Sequence, residues 1–334
     1  MKVLFIGGTG IISSACSRHA VERGYDLYLL NRGKTTSRPI PEGAYILPGD
    51  IRDPASARAA LHGHSFDVVV NWIAFTPEHI RLDLELFSGS VGQYIFISSA
   101  SVYQTPPAAL PITESTVLDN PYWQYSRNKI ACEEMLVKAY RESKFPITIV
   151  RPSHTYDKTL LPFQGGFTEV DRMRKGKKVV VHGDGTSIWT LTHHEDFALG
   201  FTGLLGNPHA IGEAFHITND EWLTWNQIYE IVARAAGTTA QMVHIPSEVI
   251  AAYDANWGAS LLGDKAHSMI FDNSKIKRVV PEFRAVIPFA RGAEEIMAWY
   301  DENPARQKID EHIDSLMDQM IADYEAILSK KTRS

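Results

Sequence analysis

Tyr125 and Lys129 stand one helical turn apart in Tyr125-Ser126-Arg127-Asn128-Lys129, which puts a phenol and an ammonium on one helix face. A neighbouring cation favours the phenolate, so the pair reads as a proton donor and acceptor whose tyrosine pKa is lowered from ~10. The same spacing recurs in Tyr140-Arg141-Glu142-Ser143-Lys144. Tyr125, however, falls near the start of its helix, close to the strand ends where an α/β sheet opens to ligand, and Tyr140 falls at the far end. A second chemical signal is Gly7-Gly8-Thr9-Gly10-Ile11-Ile12-Ser13, between an apolar run and a helix-period segment. Glycines there permit a tight turn and let backbone N–H groups at a helix N-terminus approach a pyrophosphate. Ser13 stands where a third glycine is often found and is small enough for close helix–strand packing. Farther on, Leu30-Asn31-Arg32-Gly33-Lys34 lacks the acid that usually bonds the ribose 2′-hydroxyl of NAD and carries two cations instead. That favours NADP, with NAD as the alternative if Arg32 is only a surface loop residue.

These groups require a parallel sheet with its loops at one end. Apolar runs at residues 3–6, 27–30, 44–47, 68–71, 94–97 and 147–150 read as buried strands, with helices at 11–23, 54–61, 78–87 and 125–144 between them. The expected fold is α/β: a Rossmann-type doubly wound parallel sheet with a smaller C-terminal substrate-binding domain. The 334 residues divide into a dinucleotide-binding domain over 1–154, its sheet completed by part of 179–218, and a substrate domain with a C-terminal helix over 155–334. The tail repeats Ile309, Ile313, Leu316, Met320, Tyr324 and Ile327 at helical spacing, for packing or a dimer contact.

Composition narrows the function. A net charge of −6 argues against a general nucleic-acid binder, and the run Arg172-Met173-Arg174-Lys175-Gly176-Lys177-Lys178 reads as a solvated turn. Two cysteines, Cys16 and Cys132, form no disulfide framework. The apolar run ending at Ile6 is too short for a signal peptide, and no stretch approaches ~18 apolar residues. The expectation is a cytoplasmic protein without a membrane span.

Further motifs carry a resemblance. Gly49-Asp50-Ile51-Arg52-Asp53, Asn71-Trp72-Ile73-Ala74, Ile97-Ser98-Ser99-Ala100-Ser101-Val102-Tyr103, the helix with Tyr125, Lys129 and Glu133, and Arg151-Pro152-Ser153-His154-Thr155-Tyr156 occur in order. So do His182-Gly183-Asp184-Gly185 and Asp272-Asn273-Ser274-Lys275. With these motifs the chain resembles the extended, atypical short-chain dehydrogenase/reductase superfamily, the NAD(P)-dependent epimerase/dehydratase-like branch, over nearly its whole length. The resemblance implies catalysis by Ser99, Tyr125 and Lys129. Tyr125 would exchange a proton with the substrate oxygen, Lys129 would bond the nicotinamide ribose, and Ser99 would orient and stabilise the reacting oxygen. It implies a cofactor held by Gly7, Thr9, Gly10, Ile11 and Ile12, then by Asn31, Arg32, Asp50 and Ile51. Asn71, Ala74, Lys129, Pro152 and His154 would complete the cofactor site. Four-helix dimerisation through the helices at 78–87 and 125–144 is implied as well.

Two departures narrow the reaction. Ala100-Ser101 replaces the acidic pair with which related dehydratases drive elimination, and Trp189 replaces an arginine that meets a diphosphate in the family. An indole stacks on a sugar ring but does not neutralise a diphosphate. The expected substrate is therefore a carbohydrate-like small molecule contacted by Ser99, His154, Trp189 and Trp257. In Trp189-Thr190-Leu191-Thr192-His193-His194-Glu195-Asp196, Asp196 reads as a helix N-cap and no metal is expected. The glycine-punctuated stretch Trp257-Gly258 to Gly263-Asp264-Lys265 reads as a loop over substrate or a plain connection. The leading expectation is an NAD(P)-dependent oxidoreductase or epimerase; the alternative on this fold is a regulatory or RNA-associated dinucleotide-binding protein.

Overall fold

The computed structural model describes residues 1–33 and 38–331. Lys34, the second cation after the second strand, lies outside the described residues, as do the last three residues of the tail.

The chain opens with β1 (Lys2–Ile6), α1 (Ile11–Glu22), β2 (Asp26–Asn31), β3 (Tyr45–Pro48), α2 (Pro54–Leu61), β4 (Val68–Asn71) and α3 (Pro77–Phe87). It continues through β5 (Gln93–Ile97), α4 (Gln124–Ser143) and β6 (Ile147–Pro152). A later strand, Ala214–Ile217, adds to β6, and the seven-stranded sheet runs Ala214–Ile217, β6, β5, β4, β1, β2, β3, every pair parallel. Every residue of β4 and β5 is buried, because helices cover both faces and leave no polar face to alternate with an apolar one. On one face α1 lies beside the helix His194–Thr202; on the other α3 packs on α4. Strand order reverses between β1 and β4, the crevice where such sheets receive ligand.

Farther along the chain, strand Lys178–His182 pairs in parallel with Gln241–Ile245. The basic run makes an exposed turn over 174–178 between a helix and a strand, as expected, but Arg172 at its start departs from that reading. Arg172 is fully buried and donates to the Asp314 carbonyl and carboxylate, to Asp318 and to the Lys178 carbonyl; Lys177 and Lys178 pair with Asp314, Asp318 and Glu325. These contacts dock the C-terminal helix Glu311–Lys331, whose Ile313, Leu316, Met317, Met320 and Ile321 pack on Val180, Ile245 and Trp257. Ile309 and Ile327 stay exposed, so the buried stripe is narrower than the repeat suggests.

The N-cap of helix His194–Thr202 is His193 and not Asp196: the His193 Nδ1 accepts from the Glu195 amide, while Asp196 accepts from the Ile287 amide 2.9 Å away. The cap falls three residues earlier than expected, because the strand before the helix ends at His193. The stretch read as a loop is helical, a short helix Ala255–Ser260 passing into a π-turn Leu261–Lys265.

Candidate active site and dinucleotide groove

Gly7 and Gly8 leave β1 at φ +102° and +98°, a region that favours glycine. A Cβ on Gly8 would also lie 2.7 Å from the Leu29 Cδ2, so the loop sits directly on the sheet. Ser17 fixes it by donating to the Gly8 carbonyl at 2.8 Å. Ser13, in the third-glycine position, accepts the Gly10 amide at 2.7 Å. The next N–H groups, of Ile11 and Ile12, open α1 and have no intrahelical partner. A glycine cradle ending in free N–H groups at the positive end of a helix suits a pyrophosphate, so these residues fit the dinucleotide that the sequence implies.

At the adenosine end, Asn31 Oδ1 accepts the Gly33 amide, and the exposed Arg32 guanidinium stands 3.7 Å from Asp50. Asp50 accepts the Arg52 amide, and Ile51 is buried beneath. Asn71 departs from expectation. It is wholly buried, donates to Asp83 at 2.6 Å and accepts the Ile73 amide, so its side chain shapes the loop after β4. The Ala74 carbonyl is likewise engaged, by Lys129.

Lys129 rises from α4 to the ends of two strands. Its Nζ donates to the carbonyls of Ala74 and Ile97, both at 2.7 Å, with the Phe75 and Phe96 rings 4.8 Å away. Burial lowers its pKa to about 7, opposed by nearby Cys132 and Glu133. The Nζ lies 5.8 Å from the centre of the Tyr125 ring. The expected depression of the tyrosine pKa is absent: burial pushes the phenol up to about 12, the Ser99 hydroxyl pulls the other way, and Asp264 adds to the rise. Desolvation wins because the ammonium is spent on carbonyls and the ring is enclosed.

Ser99 caps the short turn Ala100–Val102, accepting the Ser101 amide, and its hydroxyl lies 2.9 Å from that of Ser101. Ser126, one residue past the tyrosine on α4, donates to Ser101 at 2.8 Å. A chain of three hydroxyls therefore positions Ser99 beside Tyr125. Both line a cavity of about 310 Å³ with Pro152, His154 and Trp189. The Trp189 indole donates to His154 Nδ1 at 3.2 Å, and burial lowers the His154 pKa to about 3, with Lys265 adding to the effect. The ring is neutral, and its Nε2 carries the proton.

Sequence reasoning missed Trp123, Asp264, Lys265 and Phe271, which complete this wall. The glycine-punctuated stretch around Gly263 was the available signal for two of them. Trp257, by contrast, lines an adjoining cavity of about 150 Å³ that shares His154 and Lys265 with the first, and it does not face Tyr125.

Comparison with known proteins places this geometry. Residues 3–218 match the model of the NAD dependent epimerase/dehydratase family. The chloroplast stem-loop binding protein of 41 kDa b from Arabidopsis thaliana is 28% identical over 249 residues, 71% of this chain and 63% of that protein. A UDP-glucose 4-epimerase from Lactobacillus helveticus is 29% identical over 168 residues, 45% of this chain and 51% of that enzyme. The matched stretch thus spans less than two thirds of either relative. Among solved structures, an epimerase from Methanothermobacter thermautotrophicus superposes with a TM-score of 0.74 at 18% identity, covering 92% of this chain and 94% of that one. The UDP-glucose 4-epimerase of Bifidobacterium longum, in complex with NAD+ and UDP, gives 0.71 at 20% identity, covering 91% and 99%. The chain belongs to the NAD dependent epimerase/dehydratase family.

Proposed function

We propose that this protein is an NAD(P)-dependent oxidoreductase or epimerase that moves hydride between nicotinamide and a hydroxyl or carbonyl of a carbohydrate-like small molecule. The observation that carries the reading is the shared wall of Tyr125, Ser99 and Pro152 in one cavity at the ends of β5 and β6. The dinucleotide, when bound, donates or accepts the hydride. Tyr125, with its pKa pushed up to about 12, holds its proton at neutral pH and gives it to a carbonyl oxygen as that oxygen gains charge. Ser99, held by Ser101 and Ser126, donates to the same oxygen from a fixed position and needs little reorganisation. Lys129 fixes its amine by donating to two carbonyls, and in the protonated form a third N–H remains for a ribose hydroxyl. Ala100 and Ser101 offer no acid to protonate a leaving hydroxyl, which speaks for redox or epimerase chemistry over dehydration.

Arg32, with no acid at the end of β2, supports NADP over NAD. Fluorescence titration with NADPH and NADH tests this; tighter NADH binding and an Arg32→Ala variant unchanged towards NADPH refute it. Two free buried cysteines suit a reducing cytoplasm, and the packed α3–α4 pair supplies the surface for a homodimer. Among the described residues no helix is long and apolar enough to cross a membrane. The reaction is tested by incubating the protein with NADPH or NADH and a panel of aldoses, ketoses and polyols. Oxidation of the reduced nicotinamide, or its retention with substrate inversion, supports the reading. Failure to bind either dinucleotide refutes it.

A second reading rests on the stem-loop binding relative: an RNA-associated protein on the same fold. The net charge of −6 and the retention of Ser99, Tyr125 and Lys129 weigh against it. A mobility-shift titration with stem-loop RNA decides between them.

A further inference from the structure

The π-turn Leu261–Lys265 is pinned over the Tyr125 cavity from three sides. Asn120 donates to the Gly263 carbonyl at 2.6 Å, and both His182 and Ser187 reach the Lys265 carbonyl at 3.0 Å. Gly263 permits the approach, since a Cβ there would lie 2.8 Å from the Trp123 Cβ. The pinning fixes two charged side chains, Asp264 and Lys265, in the cavity wall with Tyr125 and Ser99.

Asp264 has one charged neighbour, the Lys265 Nζ 3.7 Å away. Burial holds its pKa up at about 6, with Lys265 opposing. A largely buried carboxylate with a single cationic neighbour keeps acceptor positions that the O–H groups of a ligand would fill. The Lys265 ammonium lies over the Trp123 ring at 5.6 Å and offers donors beside the Asp264 acceptor. A hydroxyl both donates and accepts, so the pair matches it, and the indoles of Trp123 and Trp189 suit the apolar C–H face of a sugar.

The surroundings do not suit a nucleoside diphosphate. The Tyr125 cavity meets the adjoining one at His154 and Lys265, which line both. The adjoining space is walled largely by Leu160, Leu161, Phe163, Trp225 and Trp257, and its histidines, His154 and His182, are held neutral by burial. Its remaining cation is Lys265, which already faces a carboxylate. The main cavity is at the small end of ligand pockets.

We propose that the substrate is a free, neutral sugar or polyol, not one linked to a nucleotide, and that Asp264 and Lys265 select it by holding hydroxyls remote from the reacting carbon. This rests on reading the Tyr125 cavity as the substrate site.

The test is intrinsic tryptophan fluorescence of the full chain, loaded with NADP+ or NAD+. It is titrated with myo-inositol, sorbitol, D-glucose and D-galactose, and in parallel with UDP and UDP-glucose. At least one free polyol saturates the wild type. Asp264→Asn and Lys265→Met each weaken that binding about tenfold or more, the loss expected for a hydrogen bond to a charged group. Both variants keep the wild-type dinucleotide affinity and far-ultraviolet circular dichroism. Saturation by UDP or UDP-glucose alone, no saturation by any free polyol, or equal polyol binding in Asp264→Asn each overturns the proposal. Failure of the hydride-transfer reading is visible separately: Tyr125→Phe would then turn over normally, whatever the polyols do.

Discussion

Replacing Lys129 by methionine should flatten the rise of conformational stability between pH 7 and pH 10.5, because this lysine titrates at about 7 in the folded chain against 10.5 as its ordinary value. At ~1.36 kcal/mol per pH unit, that net shift makes the rise on the order of 5 kcal/mol, with burial as its largest cause. The sign follows from proton counting. Between the two pKa values the unfolded chain binds one more proton than the folded chain, so stability climbs with pH there. The gain is complete above 10.5 and is lost as pH falls through about 7. Urea unfolding of wild type and Lys129→Met at several pH values across that window measures it, because other groups contribute equally to both proteins and cancel in the difference. The variant also strands two carbonyls, a pH-independent loss of about 1–3 kcal/mol each, so the slope is diagnostic and the offset is not. A difference that stays constant with pH, or a wild type that weakens relative to the variant as pH rises, would refute the buried placement of this amine.

Gly8→Ala must accept φ +98° and a Cβ 2.7 Å from buried Leu29; strain and overpacking together predict a loss of about 2–4 kcal/mol in urea and weaker dinucleotide binding. Gly33→Ala, at φ +66° with no atom within 4 Å, is the control and should cost only about 1 kcal/mol. Arg38 reaches Asp157 at 2.6 Å, and although burial works against it, bonds from Arg38 and Thr159 keep the Asp157 carboxyl below its ordinary pKa. Arg38→Ala should cost about 2–3 kcal/mol near pH 7, and in urea unfolding that difference should shrink as the pH is lowered, because the wild type loses the stability of its depressed carboxyl there and the variant has none to lose. Trp189→Phe removes the indole donor to His154; substrate KM should rise, dinucleotide affinity should hold, and stability should fall by about 1 kcal/mol.

The sheet was legible because strands buried on both faces are continuous apolar runs, and Val68–Asn71 and Gln93–Ile97 have no polar face to blur the signal. The glycine cradle and the Tyr125–Lys129 spacing were legible because each is local in sequence. What stayed hidden depends on distant segments meeting. Asp264 and Lys265 reach Tyr125 only because Asn120, His182 and Ser187 pin their turn, and Arg172 is buried only because the C-terminal helix returns to it. Asn71 misled for the opposite reason. Its position at a strand end suggests ligand contact, yet Asp83, one helix away, claims its amide. The tyrosine pKa went astray because spacing reveals the cation but not the carbonyls that occupy it, nor the burial that outweighs it.

The central claim is that Tyr125 moves the proton while the dinucleotide moves the hydride. Once a sugar or polyol that turns over is in hand, the decisive measurement is single-turnover consumption of reduced nicotinamide by wild type and Tyr125→Phe, with dinucleotide affinity determined on the same samples. The account predicts that the variant binds the dinucleotide within about twofold of wild type and loses at least a hundredfold in the rate, as removal of a positioned acid should produce. A variant that binds normally and oxidises the nicotinamide at the wild-type rate would contradict it.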